Sequence, residues 1–94
     1  MSSLKRFDIT EYLGSDEAIV EYLNIVLEDN DPALLAAALG DIARARGMTE
    51  LARDTGLSRE SLYKGLSGER IPSTDTLLRV VRALGLRLGV SVAA

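Results

Sequence analysis

The stretch Thr49-Glu-Leu-Ala-Arg-Asp-Thr-Gly-Leu-Ser-Arg-Glu-Ser-Leu-Tyr-Lys-Gly-Leu-Ser-Gly68 limits what this 94-residue chain can fold into more than any other. Two short helices crossing steeply over a tight turn need a small residue at the crossing, a residue tolerant of positive φ in the turn, and an apolar residue that locks the second helix. Ala52, Gly56 and Leu62 supply these, at spacings of four and then six residues. Thr49 and Ser58 stand where N-caps belong, with the two helices reaching Thr55 and about Ser67, and Gly68 stands where the second should stop. That spacing is the one helix-turn-helix proteins use to lay their second helix in the DNA major groove.

The flanking sequence has the helices such a motif needs. Ser15 or Asp16 can cap a helix whose apolar stripe is Ala18, Ile19, Tyr22, Leu23, Val26 and Leu27. Glu28 to Asp31 interrupt it, and Asp31-Pro32 reads as an N-cap followed by proline at the first helical position. The next helix runs to about Arg46, with Leu35, Ala38, Leu39, Ile42 and Ala45 at a 3.6 period and Gly47 as its stop. After the motif, Ser73 or Thr74 begins a helix through Leu84, with Leu77, Leu78, Val81 and Leu84 facing inward and Gly85 as terminator. The tail changes period: Leu86, Leu88, Val90 and Val92 alternate with Arg87, Gly89 and Ser91, the pattern of a half-buried strand. A lone strand leaves unpaired main-chain groups, so those four residues are expected at a homodimer contact. Packing on the chain's own domain, or pairing with residues 7–13, is the alternative. The expectation is therefore an all-α fold of five helices with a short C-terminal β-strand. Residues 1–30 would form an acidic N-terminal arm and helix, and residues 31–94 the helix-turn-helix domain, with too little apolar surface in all for two independent cores.

Charge divides the chain in the same way. The overall balance is −3, which by itself argues against nucleic acid. Residues 1–31 carry two basic against eight acidic side chains, and residues 32–94 carry nine basic against six acidic ones. A basic domain thus carries an acidic arm, and two surfaces of opposite sign suggest two partners. The chain has no cysteine and no histidine, which removes disulfides, thiolate chemistry, the common zinc ligands and histidine acid–base catalysis. Ser61 and Lys64 lie within one helical turn, but solvated pairs of this kind are ordinary, and Gly65-Leu-Ser-Gly68 lacks the spacing of a phosphate-binding loop. No enzyme site, cofactor or metal is expected. The longest apolar run, Ala33 to Leu39, is far short of the roughly 18 residues of a membrane span, and the first residues hold no apolar signal core. A cytoplasmic location is the expectation.

From Asp31 to Leu84 the chain resembles the lambda-repressor-like, Cro-like helix-turn-helix family. Asp31-Pro-Ala-Leu, Leu39-Gly-Asp-Ile-Ala-Arg-Ala-Arg-Gly-Met48, Gly56 to Gly68 and Ala83-Leu-Gly-Leu-Arg-Leu88 further resemble the HigA-like probable addiction module antidote family, as do Phe7-Asp8, Glu11-Tyr-Leu13 and Ala18 to Leu23. The resemblance implies an antitoxin that binds its own operator as a repressor and pairs with a small toxin similar to the RelE/HigB ribonucleases. Two residues depart from the pattern. Met48 stands where many such domains place a phosphate-holding glutamine, so that contact does not carry over. Gly65 occupies the inner side of the second motif helix where a larger apolar residue is usual.

With Leu62 and Leu66 inward, the opposite face of that helix presents Arg59, Glu60, Tyr63 and Lys64, with Ser58 and Ser61 near its start. Arg59 and Lys64 suit guanine O6/N7, Glu60 the amino group of cytosine, and the serines a base edge or a phosphate. Thr49, at a helix start, and Arg70, in the loop beyond, suit the DNA backbone. Arg53 and Arg79 read as solvated surface residues. A toxin that cleaves RNA should be basic, and Glu17, Glu21, Glu28, Asp29 and Asp31 are the acids that could hold it. The competing reading is a helix-turn-helix regulator with no toxin partner.

Overall fold

The computed structural model describes residues 13–93, and over them the chain forms five helices: α1 Asp16–Leu27, α2 Pro32–Arg46, α3 Met48–Thr55, α4 Arg59–Gly65 and α5 Thr74–Ala83. Four of them start at a side-chain cap that takes up main-chain N–H groups lacking an intrahelical acceptor. Ser15 accepts from the Ala18 N–H at 3.1 Å, Ser58 from Ser61 at 3.0 Å and Ser73 from Thr76 at 3.1 Å. One Asp31 oxygen accepts from both Ala33 (3.0 Å) and Leu34 (3.3 Å), with Pro32 directly behind it.

The exception is α3. Thr49 is not its cap: the helix begins at Met48, and Gly47 joins α2 to α3 with φ of +109° and no side-chain cap. The positive φ turns the chain within one residue, and burial of Met48 draws the first helical residue into the core. Thr49 is left exposed inside the first turn. Helix α4 is also shorter than its pattern suggests. It ends at Gly65, because Ser67 leaves the helical path to donate its hydroxyl to the Lys64 carbonyl and accept from the Glu69 N–H.

The core is one cluster in which Leu13, Ile19, Leu39, Ile42, Leu62 and Val80 are the largest fully buried side chains. Helix α1 lies along α2 through Ile19 and Val26, with Tyr22 and Leu23 half-buried, while Leu27, expected in the stripe, is 42% exposed. Polar contacts reinforce this seam: Tyr22 donates to Asp41 at 3.0 Å, Asp41 also pairs with Arg44, and Asp16 pairs with Arg46. In α5 the buried residues are Val80, Val81 and, just past its end, Leu84, with Leu77 half-buried. Leu78 is half exposed rather than inward, since a stripe centred between Leu77 and Val81 rotates it toward solvent.

The expected C-terminal strand is not formed: residues 86–93 have no secondary structure, and no strand occurs among the described residues. Leu86 is half-buried and donates its N–H to the Val81 carbonyl at 3.1 Å, whereas Val90 and Val92 are fully exposed. An alternating segment becomes a strand only beside a second one. The alternative partner for the tail, residues 7–13, lies outside the described residues apart from Leu13. No helix among the described residues is long and apolar enough to cross a membrane.

Burial, the hydrogen bond to Asp41 and the charge of that carboxylate hold the Tyr22 hydroxyl above its ordinary value of 10.0, against a smaller opposing pull from Arg44. The folded state therefore binds this proton more tightly than the unfolded chain. The resulting stability is complete below pH 10 and is lost as pH rises through the folded-state value. Tyr22→Phe is expected to destabilise the protein by about 1 kcal/mol at neutral pH, and its urea midpoint should fall less steeply than the wild type's above pH 10.

Candidate functional site

Helices α3 and α4 meet over Gly56, Leu57 and Ser58. Gly56 is left-handed (φ +77°) and donates its N–H to the Ala52 carbonyl at 3.0 Å. Beneath this turn Thr55 is buried. Its hydroxyl donates to the Leu51 carbonyl at 2.8 Å and accepts from the Leu57 N–H at 3.2 Å, so one side chain satisfies main-chain groups on both sides of the bend. Leu62 and Leu66 are buried on the inner side of α4. They sit close because α2 presents Gly40 there: a Cβ on Gly40 would overlap the Leu66 carbonyl oxygen. Gly65 rests beside Thr76 of α5 with ordinary room for a methyl group, so the neighbours do not demand glycine at that position.

Arg79 of α5 completes the support. The sequence alone marks it as a solvated residue, yet its Nη1 donates to the Thr55 carbonyl at 2.9 Å while its Nε pairs with Asp75 at 2.9 Å. The guanidinium thus takes one of the carbonyls left open where α3 ends, and bridges α5 to the α3–α4 turn. The signal was present in the Asp75/Arg79 spacing of four, but only the tertiary fold supplies the Thr55 carbonyl. Arg53 pairs with its neighbour Asp54 at 3.5 Å and remains exposed.

On the outer side, α4 presents Arg59, Glu60, Ser61, Tyr63 and Lys64, all exposed. Lys64 pairs with Glu60 at 3.5 Å, while Arg59 makes no ion pair among the described residues. Ser58 is committed: its oxygen caps α4, and its hydroxyl donates to that of Ser61 at 3.0 Å. Arg70, in the loop after α4, and Thr49, in the first turn of α3, are exposed on neighbouring segments and not on α4 itself. The resulting face is polar and amphoteric, with Arg59 and Arg70 as its cations outside ion pairs among the described residues.

The acidic residues occupy α1 and the turn after it. Glu17, Glu21 and Glu28 share one face of α1 with Asn24, and that face is edged by Val20 and Ile25, which are 45% and 60% exposed. Asp29 and Asp31 are exposed in the turn, where the Asp31 carboxylate is occupied in capping α2. The two exposed aliphatic residues were missed from sequence. Their sign was that they are apolar side chains falling outside the inward stripe of α1.

Capped helices around a single core, with polar chemistry gathered on two exposed helix faces, define a small all-helical protein built to present surfaces. The chain belongs to the probable addiction module antidote protein family, whose model matches residues 3–92. It is 51% identical over 87 residues to an uncharacterized protein of Haemophilus influenzae, an alignment covering 93% of this chain and 90% of that protein. No solved structure matches it.

Replacing Arg79 with alanine leaves the Thr55 carbonyl without its charged donor. Because the arginine is about half exposed, the expected loss is near 1 kcal/mol, a fall of roughly 4–8 °C in the melting temperature of a domain this size. A melt unchanged within 1–2 °C, about a quarter of that fall, would show the clasp to be inert.

Proposed function

We propose that this chain is the antitoxin of a type II toxin–antitoxin module, binding its own operator as a homodimeric repressor and neutralising a RelE/HigB-like toxin by direct contact. In this reading α3, the Gly56 turn and α4 are the helix-turn-helix of a lambda-repressor-like domain. One observation carries the DNA-binding half: α4 is anchored through Leu62 and Leu66 on its inner side and presents Arg59, Glu60, Tyr63 and Lys64 on its outer side. A rod of this kind suits the major groove, where each well-made bidentate contact discriminates by about 1–3 kcal/mol. The Glu60–Lys64 pair would open as Lys64 turns to a guanine, leaving Glu60 to accept from cytosine. Arg70, Thr49 and the Ser61 hydroxyl at the start of α4 would contact phosphate and set register, with Ser58 holding the helix start.

Family membership supports the antitoxin half. The acidic face of α1 fits a basic, RNA-cleaving partner, with Glu17, Glu21 and Glu28 steering it and Val20 and Ile25 offering apolar contact beside them; Asp29 and Asp31 extend the same negative field.

Two measurements test this. Arg59→Ala/Lys64→Ala should abolish the gel shift of the chain's upstream DNA while leaving the far-ultraviolet spectrum intact; unchanged affinity would refute the assignment of α4. The product of the adjacent reading frame, co-expressed with the chain, should co-purify with it. Glu17→Lys/Glu28→Lys should slow that association tenfold or more at low salt, with the difference shrinking as salt is raised. An association rate equal to wild type would move the toxin contact elsewhere.

A further inference from the structure

We infer that the groove between α1 and the chain leaving α5 takes one large apolar side chain of the basic partner that the acidic face of α1 draws in. The inference rests on the antitoxin reading above and names where that partner is held once it has arrived. Val20, Leu23 and Leu27 of α1 line the groove together with Val81 of α5 and with Leu86 and Leu88 just beyond it. The three α1 residues stand at i, i+3 and i+7, a line along the helix separate from the Ile19 and Val26 line that packs on α2. The apolar stripe of α1 is thus wider than its contact with α2 uses. Its outer edge is left half open: Val20, Leu27 and Leu88 are between 42% and 50% exposed, over a Val81 that is almost buried. The groove holds about 140 Å³, close to the size at which an apolar cavity admits one benzene ring.

The neighbouring surface identifies the occupant. Val20 and Asn24 line both the groove and the face that carries Glu17, Glu21 and Glu28, so whatever fills the groove also lies against those acids. DNA is repelled there, and the α1 helix of a second copy would set acids against acids. A basic partner gains on both surfaces. Arg87 is the one charged residue lining the groove, and its stem can lie along the apolar wall with the guanidinium in water. The depression on the other side of the tail has the opposite sign: Arg79, Arg82 and Arg87 line it with Asp75 as the sole acid. A basic partner is therefore turned away from the outer side of α5 and directed to the α1 side. Charge and shape then divide the work. The acids set how fast the partner arrives, and a desolvated apolar anchor sets how long it stays.

The product of the adjacent reading frame, immobilised on a biolayer sensor, allows arrival and departure of the full chain to be read separately. Val20→Ala/Leu27→Ala should dissociate about tenfold faster than wild type, by the same factor at low and high salt, with association changed by less than about twofold. Val20→Trp, which fills the groove from within, should do the same. Both α1 positions are substantially exposed and alanine is a strong helix former, so the far-ultraviolet spectrum should stay intact. Leu34→Ala, an exposed leucine of α2 that lines neither surface, should keep both rates. Dissociation equal to wild type in the groove variants overturns the inference, as does an acceleration that fades with salt. So does a lower mass of Val20→Ala/Leu27→Ala than of wild type in light scattering without the partner, which would give the groove to a second copy. If Glu17→Lys/Glu28→Lys slows association while the groove variants change nothing, this inference falls and the antitoxin reading stands. If the product does not associate with the wild-type chain, both fall.

Discussion

The contact between the Leu66 carbonyl and Gly40 of α2 governs how the rest of the molecule is arranged. Helix α4 has seven residues, well below the length at which an isolated helix persists in water, so its conformation is held by packing. That packing needs α2 to approach without a Cβ at position 40, which brings Leu62 and Leu66 into the core and fixes the direction of the polar side of α4. A similar close approach recurs one turn away. Gly68, at φ +86°, would bring a Cβ to 3.2 Å from that of Ala37, so the chain leaving α4 is also pressed against α2. Glycine in the middle of a helix costs about 0.5–1 kcal/mol relative to alanine, and at Gly40 the seating of α4 offsets that cost.

Two further elements hold the same turn from other directions. Thr55 satisfies main-chain groups on both sides of the bend from within, and Arg79 holds the Thr55 carbonyl from α5. The turn is thus fixed by a buried hydroxyl, a left-handed glycine and an arginine from another helix, none of which belongs to the outer surface of α4. Side chains on that surface can therefore vary without disturbing the scaffold, which is what a recognition surface requires.

Much of this arrangement was legible in the sequence because local chemistry set it. The helix starts at Ser15, Asp31, Ser58 and Ser73 follow from side chains that cap helices in almost any context, and the Ala52, Gly56 and Leu62 spacing describes the bend itself. What failed depended on neighbours distant in sequence. Thr49 looked like a cap, but burial of Met48 started α3 two residues earlier, with Gly47 at the cap position. Leu78 looked inward until the stripe of α5 centred on Val80 and Val81. Arg79 looked solvated because the carbonyl it holds lies 24 residues away. The tail illustrates the opposite limit: its alternation is plain in the sequence, but a single chain gives those residues nothing among the described ones to pair with. Of the candidate site, the grouping on α4 was legible, while Val20 and Ile25 showed only as apolar residues outside the inward stripe of α1, which says nothing of what they face.

Helix α2 is the common support of both exposed faces. It carries α1 through the Ile19 and Val26 stripe and the Tyr22–Asp41 bond, and it carries α4 through Gly40 and the buried leucines. A partner on the outer face of α1 and a partner on the outer face of α4 would both press on this one helix. Its interior is nearly continuous small and medium apolar side chains, Ala36, Ala38, Leu39, Ile42 and Ala43, packed without a buried unpaired polar side-chain atom among the described residues. A packed support of this kind transmits little unless it has a second arrangement to adopt. Any coupling between the two faces should therefore need something beyond deformation within one chain.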